Sequence, residues 1–231
     1  MSETTGAHWQ REELAEEFLT HRQQMLPLID VQEDLVRRIF ERHGRHVGRF
    51  LDIGSGDGAS SALLRSLYPD AEAVLVDFSE PMLDRAGARL GAARWTAVKT
   101  DLSSDAWRGA LPDGPYDAAI SSYAIHHLTS DRKRALFGEV FELLEPGAMF
   151  VNIDVVTIEG PLDGLFDEEI IARAAALHHG SEHREEPFDD HSEDRPDPAE
   201  SQLAWLREAG FAPVELQFKW AEGAIFGAIK A

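Results

Sequence analysis

Residues 51–58, LDIGSGDG, place a carboxylate, Asp52, two positions ahead of a glycine-rich loop. A loop of this kind that opens a helix usually suits anions, because the unpaired N–H groups and the helix dipole favour negative charge there. Asp52 would oppose a phosphate at that point, so the loop points to a ligand carrying positive charge. Two further carboxylates, Asp77 and Asp101, end the next two apolar runs, AEAVLVDF and RWTAVKTD. Beyond them SSYAIHHL at 121–128 gathers Tyr123, His126 and His127, side chains that can hold or move a proton.

Gly54, Gly56 and Ala59 satisfy the dinucleotide pattern G-x-G-x-x-G/A, a weak signal alone, and in such a site the helix terminus receives a pyrophosphate. S-adenosylmethionine has no phosphate; its sulfonium and α-ammonium suit Asp52. The other positions fit the same ligand. Gly54 and Gly56 permit close backbone approach, Asp77 accepts from the two ribose hydroxyls, and Asp101 with Leu102 lies where the adenine edge would be. Phe78 and Met82 pack on the purine, Ser55 and Ser121 complete the set, and Arg22 is expected on the methionine carboxylate.

These residues need a frame that brings strand ends together. Helices are expected over Trp9–Met25 and from about Asp30 to His43, with Gly44 as the stop of the second. Strands RFLDI, AEAVLVDF, RWTAVKTD, YDAAISS and AMFVNIDVV then alternate with helices, which argues for a parallel sheet covered on both faces. Ser79 is suited to cap EPMLDRAGARL, and the helix around RALFGEVFELL is expected to stop at Pro146–Gly147. Residues 156–199, rich in Asp, Glu, His and Pro, break the rhythm and read as an inserted cap with one helix. PAESQLAWLREAG is a last helix, and PVELQFKW and GAIFGAIKA, joined through AEG, form an antiparallel hairpin. The expected division is an amino-terminal helical segment, 1–47, and one cofactor-binding domain, 48–231.

Composition narrows the function. With 22 Lys and Arg against 42 Asp and Glu, the formal net charge is −20, which disfavours nucleic acid and anionic membranes as partners. There is no cysteine, so a thiolate nucleophile or metal site is unavailable. No apolar run is long enough to span a bilayer, and MSETTGAHWQREELAEEF has neither a basic n-region nor an apolar h-region, so a cytoplasmic location is the expectation.

Taken jointly, FLDIGSGDG, VLVDFSEPML, TDLSS, the segment from YDAAISSYAIHHL to GAMFVNIDV, and the tail LAWLREAGF with KWAEGAIFGAIK resemble the class I S-adenosylmethionine-dependent methyltransferases. The resemblance covers nearly the whole chain. It implies a Rossmann-like, doubly wound α/β sheet of seven strands, mostly parallel, with an antiparallel strand in the carboxyl-terminal hairpin. It also implies methyl transfer to a small molecule. The rival classes are a nicotinamide-dependent oxidoreductase, which Asp52 and the hairpin count against, and a silent cofactor-binding protein.

Displacement at a sulfonium needs an in-line nucleophile and exclusion of water, and a base only where the acceptor must lose a proton. His126 is the preferred base or acceptor-orienting group, with its ring directed away from the core and an ordinary imidazole pKa near ~6.5; His127 and Tyr123 stand beside it. The acceptor site is expected from Trp9, Phe18, Met25, Asp154 and Trp220. A metal on His126, His127 and Asp154, or on His178, His179, His183 and His191 of the cap, is weighed and not adopted, since the spacing matches no closed motif.

Overall fold

The structure, a computed structural model, describes residues 26–92, 94–161, 163–177 and 194–231. The expected first helix, with Trp9, Phe18, Arg22 and Met25, lies outside the described residues, as do His178, His179, His183 and His191.

Five parallel strands form the centre: β1 (Arg49–Ile53), β2 (Glu72–Asp77), β3 (Trp95–Lys99), β4 (Tyr116–Ser122) and β5 (Leu144–Thr157). The two-residue β6 (Asp197–Pro198) is followed by β7 (Phe211–Trp220) and β8 (Gly223–Lys230). The sheet order is β3-β2-β1-β4-β5-β8-β7, with β6 pairing β5 off this path. β8 runs antiparallel to both neighbours, as the hairpin predicts. Order reverses between β1 and β4, and in an open sheet of this kind a crevice forms there, outside the carboxyl ends of the strands.

Strand residues alternate between two covered faces, so the strands read as nearly continuous apolar runs. Phe50, Ala73, Leu75 and Ile120 pack with α1 (Ile29–His43), α2 (Ala59–Leu67) and α3 (Glu80–Leu90). Leu51, Ile53, Val76 and Phe150 face α4 (Ser130–Leu143) and α6 (Ala199–Ala209). Between β5 and β6 lies α5 (Leu165–Leu177).

The capping residues act as their chemistry suggests. Gly44 takes φ 69° and its N–H donates to the Phe40 carbonyl, ending α1. Ser79 Oγ accepts from Met82 N at the start of α3, with Pro81 in the first turn. One boundary differs: α4 ends at Leu143, and β5 already begins at Leu144, which pairs with Tyr116. Pro146 and Gly147 sit inside that strand, where the register shifts between Tyr116 and Ala118. A proline that donates no ladder bond is tolerated at such an irregularity. Among the described residues, no helix is long and apolar enough to cross a membrane.

Candidate active site

A cavity of about 440 Å³ opens over the carboxyl ends of the central strands. Its cofactor-facing wall is built by the glycine loop, the end of β2 and the turn after β3. Asp77 is buried; its Oδ2 accepts from Gly56 N and its Oδ1 from Ser79 N, both at 2.8 Å. Burial raises the Asp77 pKa, and these backbone donors oppose the rise. Phe78, Met82, Asp101 and Leu102 line the same wall. Asp57 is clamped by Arg89, whose Nε donates to the Asp57 carbonyl while the guanidinium pairs with the carboxylate.

The loop has the properties of a ligand cradle. A Cβ on Gly56, at φ 51°, would meet nothing within 4 Å. A Cβ on Gly54 would lie 2.2 Å from the Ala124 Cβ, so only glycine lets the loop after β4 approach. Among the described residues, Ser55 Oγ and Ser122 Oγ are buried without a hydrogen-bond partner, and both residues line the cavity. Buried hydroxyls left unpaired are uncommon, and a polar ligand would satisfy them. The residues present therefore fit S-adenosylmethionine.

At the other end the chain leaves β4 through Tyr123, which holds φ 52°, donates its N–H to the Ile153 carbonyl at 2.8 Å and donates its hydroxyl to Gln32 Oε1 at 2.8 Å. A left-handed non-glycine residue costs energy that the surrounding bonds must offset, a condition found often at functional sites. A short 3-10 turn, Ile125–His127, then sinks Ile125 into the core and sets the two imidazole rings 4.0 Å apart. His126 Nδ1 lies 2.5 Å from Asp154 Oδ1, and its Nε2 is 3.5 Å from Asp194 Oδ1. Burial lowers its pKa, but the two carboxylates outweigh that and raise it to about 10. Burial and the neighbouring His126 charge lower that of His127, whose Nδ1 is 2.9 Å from Asp194.

Several expectations need correction. His126 lines the cavity, but it is buried and held between two carboxylates, so its pKa is not the expected ordinary imidazole value. Asp52 does not reach the cavity: the strand pleat turns it toward α2, where Ser61 Oγ donates to its Oδ2 at 2.6 Å. Ser121 points away too, donating its hydroxyl to the Ile53 carbonyl, and the adjacent Ser122 takes its place on the wall. Asp154 is fully buried behind His126. Trp220 backs Phe166, ring to ring at 6.2 Å, and Phe166 is the residue that lines the cavity.

Sequence reasoning missed Leu26, Ser122, Phe166, Ile170 and Asp194 on the cavity wall. A signal existed for Ser122, since period two in β4 separates it from Ser121. None existed for Asp194, brought in by β6, a two-residue strand without periodicity. Glu222 was also missed; its carboxylate accepts from Gly164 N and Phe166 N and fixes the start of α5.

Buried Asp52 carries a stability prediction. Burial pushes its pKa up to about 7, against the Ser61 hydrogen bond, which lowers it. The folded chain thus binds this proton more tightly than the unfolded chain does. Its contribution is complete below the unfolded carboxylate range and is lost as pH rises through about 7, a change of up to ~4 kcal/mol. Asp52→Asn, which cannot ionise, should flatten that part of the stability profile; denaturant melts across this range giving parallel slopes for both proteins would refute the assignment.

The sheet order, the glycine loop and the acidic strand ends together define a class I methyltransferase fold. A family model described as a methyltransferase domain matches residues 50–147. Over 106 residues the chain is 35% identical to a demethylmenaquinone methyltransferase of Thermus thermophilus, covering 46% of each chain. Over 174 residues it is 31% identical to a demethylmenaquinone methyltransferase of Clavibacter sepedonicus, covering 72% of this chain and 66% of that one. Human N-acetylserotonin methyltransferase, solved with S-adenosylmethionine, superposes with a TM-score of 0.67 at 18% identity, covering 100% of this chain and 59% of that one. The matches span about half to two thirds of the curated relatives' length. The chain belongs to the class I S-adenosylmethionine-dependent methyltransferases.

Proposed function

We propose that the chain transfers a methyl group from S-adenosylmethionine to a small acceptor that is neutral or cationic and has an apolar body. The observation that carries this reading is continuity. One cavity runs from Asp77, Phe78, Met82 and Asp101 to a second compartment bounded by Leu26, Tyr123, Phe166, Ile170 and the imidazoles. When bound, the cofactor supplies a methyl group already activated on a sulfonium. Asp77 accepts from its ribose hydroxyls, and Phe78, Met82 and Leu102 enclose its adenine. Ser55 and Ser122 offer the hydroxyls that otherwise lack partners, and Asp52 acts from behind the loop as a buried carboxyl group. Tyr123, Leu26 and Phe166 exclude water from the acceptor, and His126, His127 and Asp194 meet its nucleophilic atom.

The charge of the acceptor follows from the lining. No lysine or arginine is found among the described residues of the cavity wall, whereas Asp163, Asp167 and Asp194 border the acceptor end. Apolar Val155, Val156 and Ile170 suit a ring or chain, and the relatives named above, demethylmenaquinone methyltransferases, support an apolar acceptor.

Calorimetry should show one S-adenosylhomocysteine site per chain, and labelled S-adenosylmethionine should pass its methyl group to neutral phenols or amines. An acceptor and its phosphorylated analogue should differ by about tenfold or more in kcat/KM, in favour of the uncharged form, because like charges brought together cost several kcal/mol. Equal turnover of the pair would refute the charge assignment, and absence of S-adenosylhomocysteine binding would remove the whole reading.

A further inference from the structure

We propose that Nε2 of His126, Nδ1 of His127 and a carboxylate oxygen of Asp194 hold a divalent first-row transition-metal ion at the acceptor end of the cavity. The three donor atoms all lie within 4.8 Å of one another. Asp194 Oδ1 is 3.5 Å from His126 Nε2 and 2.9 Å from His127 Nδ1. An ion with bonds of ~2.0–2.1 Å keeps neighbouring donors roughly 3.0–3.4 Å apart, so both Asp194 contacts are already close to ligating separations, and the two imidazoles, within 4.8 Å of each other, close on the ion as it binds.

The supports of these donors are those of a metal centre. His126 has its other ring nitrogen 2.5 Å from Asp154, which is fully buried and also accepts from Val155 N at 3.0 Å. A carboxylate behind a ligating imidazole fixes the ring and its tautomer and strengthens the donor. Asp194 is tethered through the residues that follow it. Arg195 N donates to the His126 carbonyl at 3.0 Å, and Thr157 Oγ1 donates to the Pro196 carbonyl at 2.7 Å. Buried Lys133 holds Asp197 at 2.6 Å. The sequence alone suggested Asp154 as the third donor; the fold puts Asp154 behind His126 and brings Asp194 to the front.

Two imidazoles and one carboxylate favour zinc, iron, cobalt or nickel over magnesium and calcium, which take oxygen donors. His126, His127 and Asp194 all line the cavity, so further coordination positions face the acceptor. Three protein donors with an open position is the pattern of reactive rather than structural sites. The ion site stands independently of methyl transfer.

The probe is Co(II), added to untagged full-length chain stripped with a chelator. The expected result is one equivalent bound, with ligand-field absorption and two hyperfine-shifted imidazole N–H resonances that vanish in deuterium oxide. Asp194→Ala and His127→Ala should abolish these signals, and Asp154→Asn should weaken binding about 10–100-fold while leaving all three donors. Glu142→Gln, at an exposed partner of Arg108, should change nothing. S-adenosylhomocysteine binding by each variant reports its folding. Absence of the bands, or bands that persist in folded Asp194→Ala and His127→Ala, overturns the proposal. Where a variant fails to fold, the wild-type spectrum decides: fewer than two exchangeable shifted resonances overturns it, and the two support it.

Discussion

Gly54→Ala is expected to lower stability by about 2–5 kcal/mol, a large share of the ~5–15 kcal/mol that holds a domain folded. Two costs combine. The residue sits at φ 65°, where a Cβ costs roughly 1–2 kcal/mol. The added methyl also meets the Ala124 Cβ at 2.2 Å, so the loop after β4 must move, an overpacking cost of ~1–3 kcal/mol. In a chain of this size the melting temperature should fall by roughly 4–20 °C. Gly56→Ala is the contrasting case, because its methyl enters open space at φ 51° and pays only the backbone cost. It should melt roughly 2–8 °C below wild type yet lose about tenfold or more in S-adenosylhomocysteine affinity, since glycine there lets a ligand approach the backbone. Thermal melts and calorimetry on the two variants would test this, and equal melting temperatures would show that the loop relaxes around Ala124.

Asp77→Ala should raise the S-adenosylhomocysteine Kd roughly 10–100-fold, equivalent to ~1.5–3 kcal/mol for hydrogen bonds to a charged group. The carboxylate has two duties. It accepts from Gly56 N and Ser79 N, joining the glycine loop to the start of α3, and we assign it the ribose hydroxyls. Removing it leaves two backbone donors without that partner, so the ligand-free protein should also lose stability, at ~1–3 kcal/mol for each donor that finds no substitute. The two duties separate experimentally. Melting without ligand reads the first, and the extra stabilisation by saturating ligand reads the second. A variant with lowered stability but unchanged ligand-induced stabilisation would confine Asp77 to a structural role.

The parts of this arrangement that were legible in the sequence share one property: their signal is local. RFLDI and YDAAISS carry strand patterning within themselves, Ser79 and Gly44 act on the helix beside them, Asp77 gains its position by ending β2, and Asp101 does so by following β3, which ends at Lys99, in the turn beyond it. Side-chain direction was less legible. Asp52 looked like a wall residue because it precedes the loop, yet the pleat sends it under α2 to Ser61. Ser121 and Ser122 differ by one position, and that position decides which one faces the cavity. Least legible were contacts between distant segments. Asp194 meets His126 and His127 only because Val156 and Thr157 pair with Asp197 and Pro198, and no composition or period announces so short a strand.

That short pairing also bears on how acceptor preference can change. Thr157 and Pro198 are neighbours on the sheet, so the intervening segment leaves and rejoins the domain at nearly the same point. Closing a flexible loop costs only ~0.6 kcal/mol more for each doubling of its length. Segments of other lengths and sequences can therefore be grafted between these two anchors while β1–β4 and the glycine loop keep their geometry. Of the wall around the proposed acceptor compartment, Phe166, Ile170 and Asp194 belong to this replaceable segment, whereas Leu26, Tyr123 and the two imidazoles stay with the rest of the domain.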